Sequence, residues 1–212
     1  PPTADPKTLM ERIANGTYLQ DYFFGRMYDE FFSPQYAKNS HLLVFGDHSF
    51  PIEIHPGNRY NLNGAFQENF VTSMAFLPAE QVVTREGYRV GTAVASLRSL
   101  LDIVPTVLET YGVRQNNYYG KSFFKDLVVA GDSGSDPRCV VSVQPYSGGT
   151  IAVINYPMKY MYGLRTGMLT VFDLAHDPTE MSPRRAGQIK AEDLNVLEDC
   201  LRSLKPNSTG SP

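Results

Sequence analysis

Asp47 and His48 stand side by side, one glycine after the apolar run Leu42, Leu43, Val44 and Phe45. A carboxylate beside an imidazole makes a natural pair of ligands for a divalent cation, offering an anionic oxygen and a neutral nitrogen from adjacent positions. Four consecutive apolar residues bounded by polar ones predict a strand buried on both faces, as at the centre of a parallel sheet. Open α/β sheets do their chemistry just past the carboxyl ends of such strands, and Gly46 lets the backbone turn there. The plainer alternative is an aspartate that caps a turn next to a half-exposed histidine. Residues 49–63, which follow, have no hydrophobic period and contain Pro51, His55, Pro56, Gly57 and Asn58. A loop of that length at the mouth of a sheet points to function.

The elements that would position this pair are readable in outline. Residues 17–32 predict an amphipathic helix, with Leu19, Tyr22, Phe23, Met27 and Phe31 at three- and four-residue spacings and Pro34 as its stop. Residues 69–77 predict a second strand, closed by Pro78, and residues 81–90 a polar connection. Residues 99–113 carry the clearest helix signal: Asp102 as cap, Pro105 in the first turn, Val104, Val107, Leu108 and Tyr111 on one face, and Gly112 at the close. Residues 121–129 read as a brief helix or turn and 130–137 as a loop. From Arg138 the texture changes. Residues 139–143, 150–156, 158–163 and 168–174 are short runs split by Gly-Gly, Pro and Gly, the pattern of an antiparallel meander. Within it Lys159, Tyr160 and Tyr162 read as edge-strand surface, while Glu68 and Glu180 read as hydrogen-bonding or capping residues. Residues 191–204 form a last amphipathic helix with Leu194, Leu197, Leu201 and Leu204 in register. A boundary near residue 130 divides an α/β part, 1–130, from a small antiparallel part, 131–212.

The 212 residues, 42% apolar and 19% charged, fit one large globular domain or a domain and a half. A net charge of −3 without a basic stripe excludes nucleic acid as a natural partner. No apolar run nears the ~20 residues a membrane-spanning helix needs. Residues 1–7 are polar and proline-rich, unlike a signal sequence, and read as the interior of a longer polypeptide or the edge of a processed one. Cys139 and Cys200 are too few for a zinc knuckle; they either pair in an oxidising compartment or are two buried thiols. The sequons at Asn15 and Asn207 lean toward an extracytoplasmic, secretory location.

Several segments, taken in order, resemble the C-terminal half of the sulfatase-like branch of the alkaline-phosphatase superfamily, which includes sulfatases and phosphoglycerol and phosphoethanolamine transferases. They are the helix before the strand, residues 44–48 (VFGDH), 66–69 (FQEN), 99–108 (SLLDIVPTVL), 120–123 (GKSF), 159–162 (KYMY) and 172–180 (FDLAHDPTE). The resemblance covers roughly residues 17–204, and the Asp-x-x-Pro-Thr helix and the closing Asp-Pro-x-Glu are its most specific parts.

This resemblance implies part of a central, mostly parallel sheet with flanking helices, plus a C-terminal antiparallel sheet with a packed helix. It implies that Asp47 and His48 are metal ligands, for a calcium, zinc, manganese or magnesium ion that would polarise a sulfate or phosphate ester. The family's nucleophile and its remaining acidic ligands lie in an N-terminal half with no counterpart here. A partner is therefore implied, either that half or another chain covering the open sheet face, and catalysis by this chain alone is not expected. Two positions depart from the family. Ser49 replaces the usual glycine after Asp-His. Asn63 stands where many members carry a Lys or His against the ester oxygens, and His55 in the same loop is its candidate substitute. The alternative is a non-catalytic, sulfatase-derived structural or binding subunit.

Overall fold

The computed structural model describes residues 2–31, 33–59, 64–86, 91, 93–94, 96–113, 117–128, 138–184 and 186–204. Asn63, the boundary expected near residue 130 and the sequon at Asn207 lie outside these residues. In chain order the elements are α1 (Leu9–Phe31), α2 (Pro34–Ala37), β1 (Leu42–Phe45), α3 (Gln67–Phe70), β2 (Met74–Leu77), α4 (Glu80–Glu86), a 3-10 turn (Leu100–Asp102), α5 (Ile103–Thr110), α6 (Phe124–Val128), β3 (Val140–Gln144), β4 (Thr150–Asn155), β5 (Met158–Gly163), β6 (Leu169–Asp173), a second 3-10 turn (Ala186–Gln188) and α7 (Ala191–Ser203). They group into two units, Pro1–Gly46 with Ser73–Val90, and Asp47–Thr72 with Gly91–Pro212.

In the first unit α1 begins eight residues earlier than its hydrophobic stripe predicts. The cause is a reciprocal cap: Glu11 Oε2 accepts from Thr8 N at 2.8 Å, and Thr8 Oγ1 accepts from Glu11 N at 3.2 Å. Leu19, Tyr22, Phe23 and Met27 are all exposed along it. Asn15, the first sequon, is tied within this unit: its side chain accepts from Thr3 N at 2.8 Å and donates to Thr3 O at 2.7 Å. β1 forms where predicted, but it pairs antiparallel with β2, Leu42 opposite Leu77 and Phe45 opposite Met74. The expected parallel pairing is not found among the described residues. Nor is β1 buried on both faces, since Val44 and Phe45 are exposed; two strands alone have too little surface to enclose them. Residues 67–70 are helix rather than the start of the second strand, and the connection expected over 81–90 begins as α4.

The second unit holds the antiparallel meander, in the order β3-β4-β5-β6. Val141, Val153, Tyr160 and Val171 make one row across it, and α7 lays Leu197 and Cys200 on that row. A disulfide joins Cys139 to Cys200 with the Cα atoms 5.5 Å apart. With Cys200 facing the sheet, α7 is turned so that Leu194 and Leu201 are exposed instead of lining the contact. On the other face Val140, Ile154, Lys159 and Phe172 form a row, and Phe66 and Leu97 pack against its Ile154 and Phe172. Lys159 and Tyr160 are therefore interior residues, 1% and 2% exposed, and not the edge surface expected of them. The physical reason is that β4 and β6 pair both edges of β5, while α7 packs on the row of Tyr160 and Phe66 and Leu97 pack on the row of Lys159.

The helix expected over 99–113 is α5 preceded by its 3-10 turn. Its buried face is Pro105, Thr106 and Thr110, while Val104 and Tyr111 point to solvent. Polar contacts set that rotation: Thr106 Oγ1 donates to Asp102 O at 2.6 Å and accepts from Phe123 N at 3.0 Å. Ser99 is the N-cap of the 3-10 turn, and Asp102 is its capping-box partner, accepting from Ser99 N at 2.8 Å. Asp102 makes no side-chain cap bond to α5, and it also receives Lys121 N at 2.8 Å and both terminal nitrogens of Arg138. Gly120 allows this convergence, because a Cβ there would lie 1.9 Å from Leu101 O. Among the described residues no helix is long and apolar enough to cross a membrane.

Candidate functional site

Asp47 and His48 open the second unit. Asp47 Oδ1 accepts from His48 N at 3.0 Å, and its Oδ2 lies 3.6 Å from His48 Nε2. His48 Nδ1 is 2.8 Å from Ser49 O. A carbonyl only accepts, so Nδ1 carries the hydrogen and, in the neutral ring, Nε2 is the lone-pair nitrogen. That is the tautomer a metal-ligating imidazole takes when a backbone carbonyl holds its other nitrogen. His48 Nε2 and a carboxylate oxygen of Asp47 are thus neighbours. Their 3.6 Å separation suits two ligands on one ion at about 2.1 Å each. The donor set fits a divalent cation but supplies only part of a shell. Among the described residues no group of three or more His, Cys, Asp or Glu side chains is placed to hold one.

The loop that follows is pinned to α3. Ser49 N donates to Asn69 O at 3.1 Å, and Pro51 is buried. Glu68 then accepts five hydrogen bonds: Ile52 N at 3.2 Å, Ile54 N at 3.1 Å, His55 N at 3.0 Å, His55 Nδ1 at 2.8 Å and Asn58 Nδ2 at 2.7 Å. Burial pushes the Glu68 carboxyl up, but the bonds from Asn58, His55 and Ile54 outweigh it and bring its pKa down to about 2. Asn58 also donates to Asn69 Oδ1 at 2.9 Å, closing a buried polar cluster.

His55 is enclosed in that cluster. Its ring stacks on Phe66 with centroids 3.5 Å apart. Nδ1 faces Glu68, and Nε2 lies 3.0 Å from Glu180 O. Both ring nitrogens are thus engaged inside the protein. Glu180 is itself held at a left-handed φ of 60°. Its carboxylate meets Lys159 Nζ at 2.5 Å through Oε1 and Gln67 N at 2.5 Å through Oε2. Burial pushes the Lys159 pKa down, and the Glu180 charge opposes that shift.

Sequence reasoning singled out Asp47 and His48, and in the structure Asp47 Oδ2 and His48 Nε2 lie 3.6 Å apart. It did not foresee Glu68 as the residue that gathers the loop. The sequence marked Glu68 only as a hydrogen-bonding or capping residue, and nothing local marks five donors, four of them from 13 to 16 residues away.

No protein-family model matches the chain, and no curated protein matches it. Solved structures do. A protein in complex with its substrate D-glucosamine-2-N,6-O-disulfate superposes with a TM-score of 0.71 at 16% identity, over 87% of this chain and 38% of that one. A 2-O GAG sulfatase gives 0.65 at 22% identity, over 81% and 38%. A phosphonate monoester hydrolase from Silicibacter pomeroyi gives 0.64 at 17% identity, over 86% and 38%. The chain thus shares its fold with part of the sulfatases and phosphonate monoester hydrolases, and spans about 38% of the length of these neighbours.

Proposed function

We propose that this chain is one part of a metal-dependent, sulfatase-like hydrolase or transferase acting on sulfate or phosphate esters. Asp47 and His48 supply two of the ligands to its divalent ion, whose chemistry when bound is to polarise the ester. The observation that carries this reading is the pair itself, a lone-pair nitrogen and a carboxylate oxygen 3.6 Å apart. The fold neighbours support it, since one is a 2-O GAG sulfatase and another a phosphonate monoester hydrolase. Asn63 stands at the family's ester-contacting position, and His55 in the same loop is its candidate substitute. For His55 the two internal bonds favour holding the loop over touching substrate.

The nucleophile and the remaining ligands come from a complementary segment or second chain. The exposed Leu19, Tyr22, Phe23 and Met27 of α1, and Val44 and Phe45 of β1, support such a partner. The Cys139–Cys200 disulfide supports an extracytoplasmic location. A second reading, a non-catalytic structural or binding subunit derived from the same fold, is favoured by Ser49 at the family's glycine position. Hydrolysis of an aryl sulfate, an aryl phosphate and a phosphonate monoester by the 212-residue chain, with added divalent metal, tests the proposal. No turnover is expected from the chain alone; sustained turnover would overturn its assignment as a part.

A further inference from the structure

We infer that Glu68 is the positioning residue of the Asp47–His48 pair, acting through the backbone of the loop that follows it. This rests on the metal-ligand reading above. His48 owes its tautomer to the Ser49 carbonyl, and that carbonyl lies between two pins. On one side Ser49 N is held by Asn69 O. On the other, past buried Pro51, Ile52 N is held by Glu68. Both pins belong to α3, so α3 fixes the carbonyl that orients the imidazole.

The geometry around Glu68 is specific to this task. Glu53 takes a left-handed φ of 62°. The flanking N–H groups of Ile52 and Ile54 both reach the same oxygen, Oε2, while His55 N, His55 Nδ1 and Asn58 Nδ2 reach Oε1. A run of N–H groups turned inward by a left-handed residue is a concavity for an anion, and here the anion is a side chain. A residue so strained persists only where its surroundings hold it. The carboxylate is 3% exposed, so it does this work away from solvent.

Nitrogen NMR of the histidine rings, with amide hydrogen exchange, tests the inference in the full chain. Wild type is expected to show His48 with hydrogen on Nδ1 and slow exchange at Ile52 and Ile54. In Glu68→Gln, exchange at both amides is expected to rise at least tenfold and His48 to populate both tautomers, while amides of β3–β6 keep their exchange rates. Glu68→Asp is expected to restore part of the effect. A merely structural role would raise exchange in the sheet as well and leave the His48 tautomer unchanged. If Glu68→Gln does not fold, His55→Phe keeps the stack on Phe66 and removes one donor to Glu68, and the same two signals decide. An unaltered His48 tautomer in a folded variant would overturn the inference. Addition of Mn2+ separates the two claims. If wild-type His48 signals are untouched by Mn2+, the metal reading fails, and the role of Glu68 is still decided by tautomer and exchange.

Discussion

Replacing Lys159 with methionine should be among the most damaging single changes to the second unit. The ammonium is 1% exposed in a row between Ile154 and Phe172, with Glu180 as its countercharge at 2.5 Å. Methionine fits the volume and the apolar row, so packing changes little. What changes is Glu180, left as a buried carboxylate whose remaining partner is Gln67 N. Breaking a buried pair from one side costs about 3–5 kcal/mol, because a charge is stranded away from water. Removing both charges avoids that cost. Lys159→Met with Glu180→Gln should recover most of the loss, since the glutamine carbonyl still accepts from Gln67. Urea unfolding of wild type, both single variants and the double variant at neutral pH measures the four stabilities and the coupling. A loss below about 1 kcal/mol in Lys159→Met would refute the reasoning, showing that the pair does not stand as a desolvated ion pair.

Three further outcomes follow from the same structure. The folded-state pKa of Glu68 lies below its ordinary 4.5, at about 2, so the stability it provides is complete above 4.5 and is lost as pH falls toward 2. That difference is worth about 3 kcal/mol, and urea midpoints from pH 6 to 3 should fall more steeply in wild type than in Glu68→Gln; equal slopes would contradict it. Reducing the Cys139–Cys200 disulfide, which closes a separation of 61 residues, should lower stability by about 4 kcal/mol in the chain-entropy model, read as a shift in denaturation midpoint with and without reductant. Gly120→Ala should destabilise by about 2 kcal/mol or more, because its Cβ would meet Leu101 O at 1.9 Å; a thermal midpoint equal to wild type would show that the turn relaxes freely.

The meander was legible because Gly148-Gly149, Pro157 and Gly167 punctuate it and each strand is a short local run. Element faces were less legible. On α5 the apolar pattern pointed to Val104 and Tyr111, yet the hydrogen bonds of Thr106 and the convergence on Asp102 turn those residues outward. On α7 Leu197 of the leucine stripe keeps its place on the sheet, but Leu194 and Leu201 are turned out beside Cys200, whose disulfide fixes the helix from a residue 61 positions earlier. Lys159 was misread because a charged residue in a strand signals an edge, and only its distant partner, Glu180, makes an interior place tolerable. Asp47 and His48 could be picked out because their chemistry is adjacent in sequence. Glu68 could not, because its meaning lies in donors that only the folded loop delivers.

A metal titration of the chain tests most directly whether Asp47 and His48 form half of a cation site. The 212-residue chain is expected to take up Mn2+ in an electron paramagnetic resonance titration, weakly as two ligands allow, and Asp47→Asn and His48→Gln are each expected to abolish that uptake. Uptake that persists in both variants, or none in wild type, would contradict it.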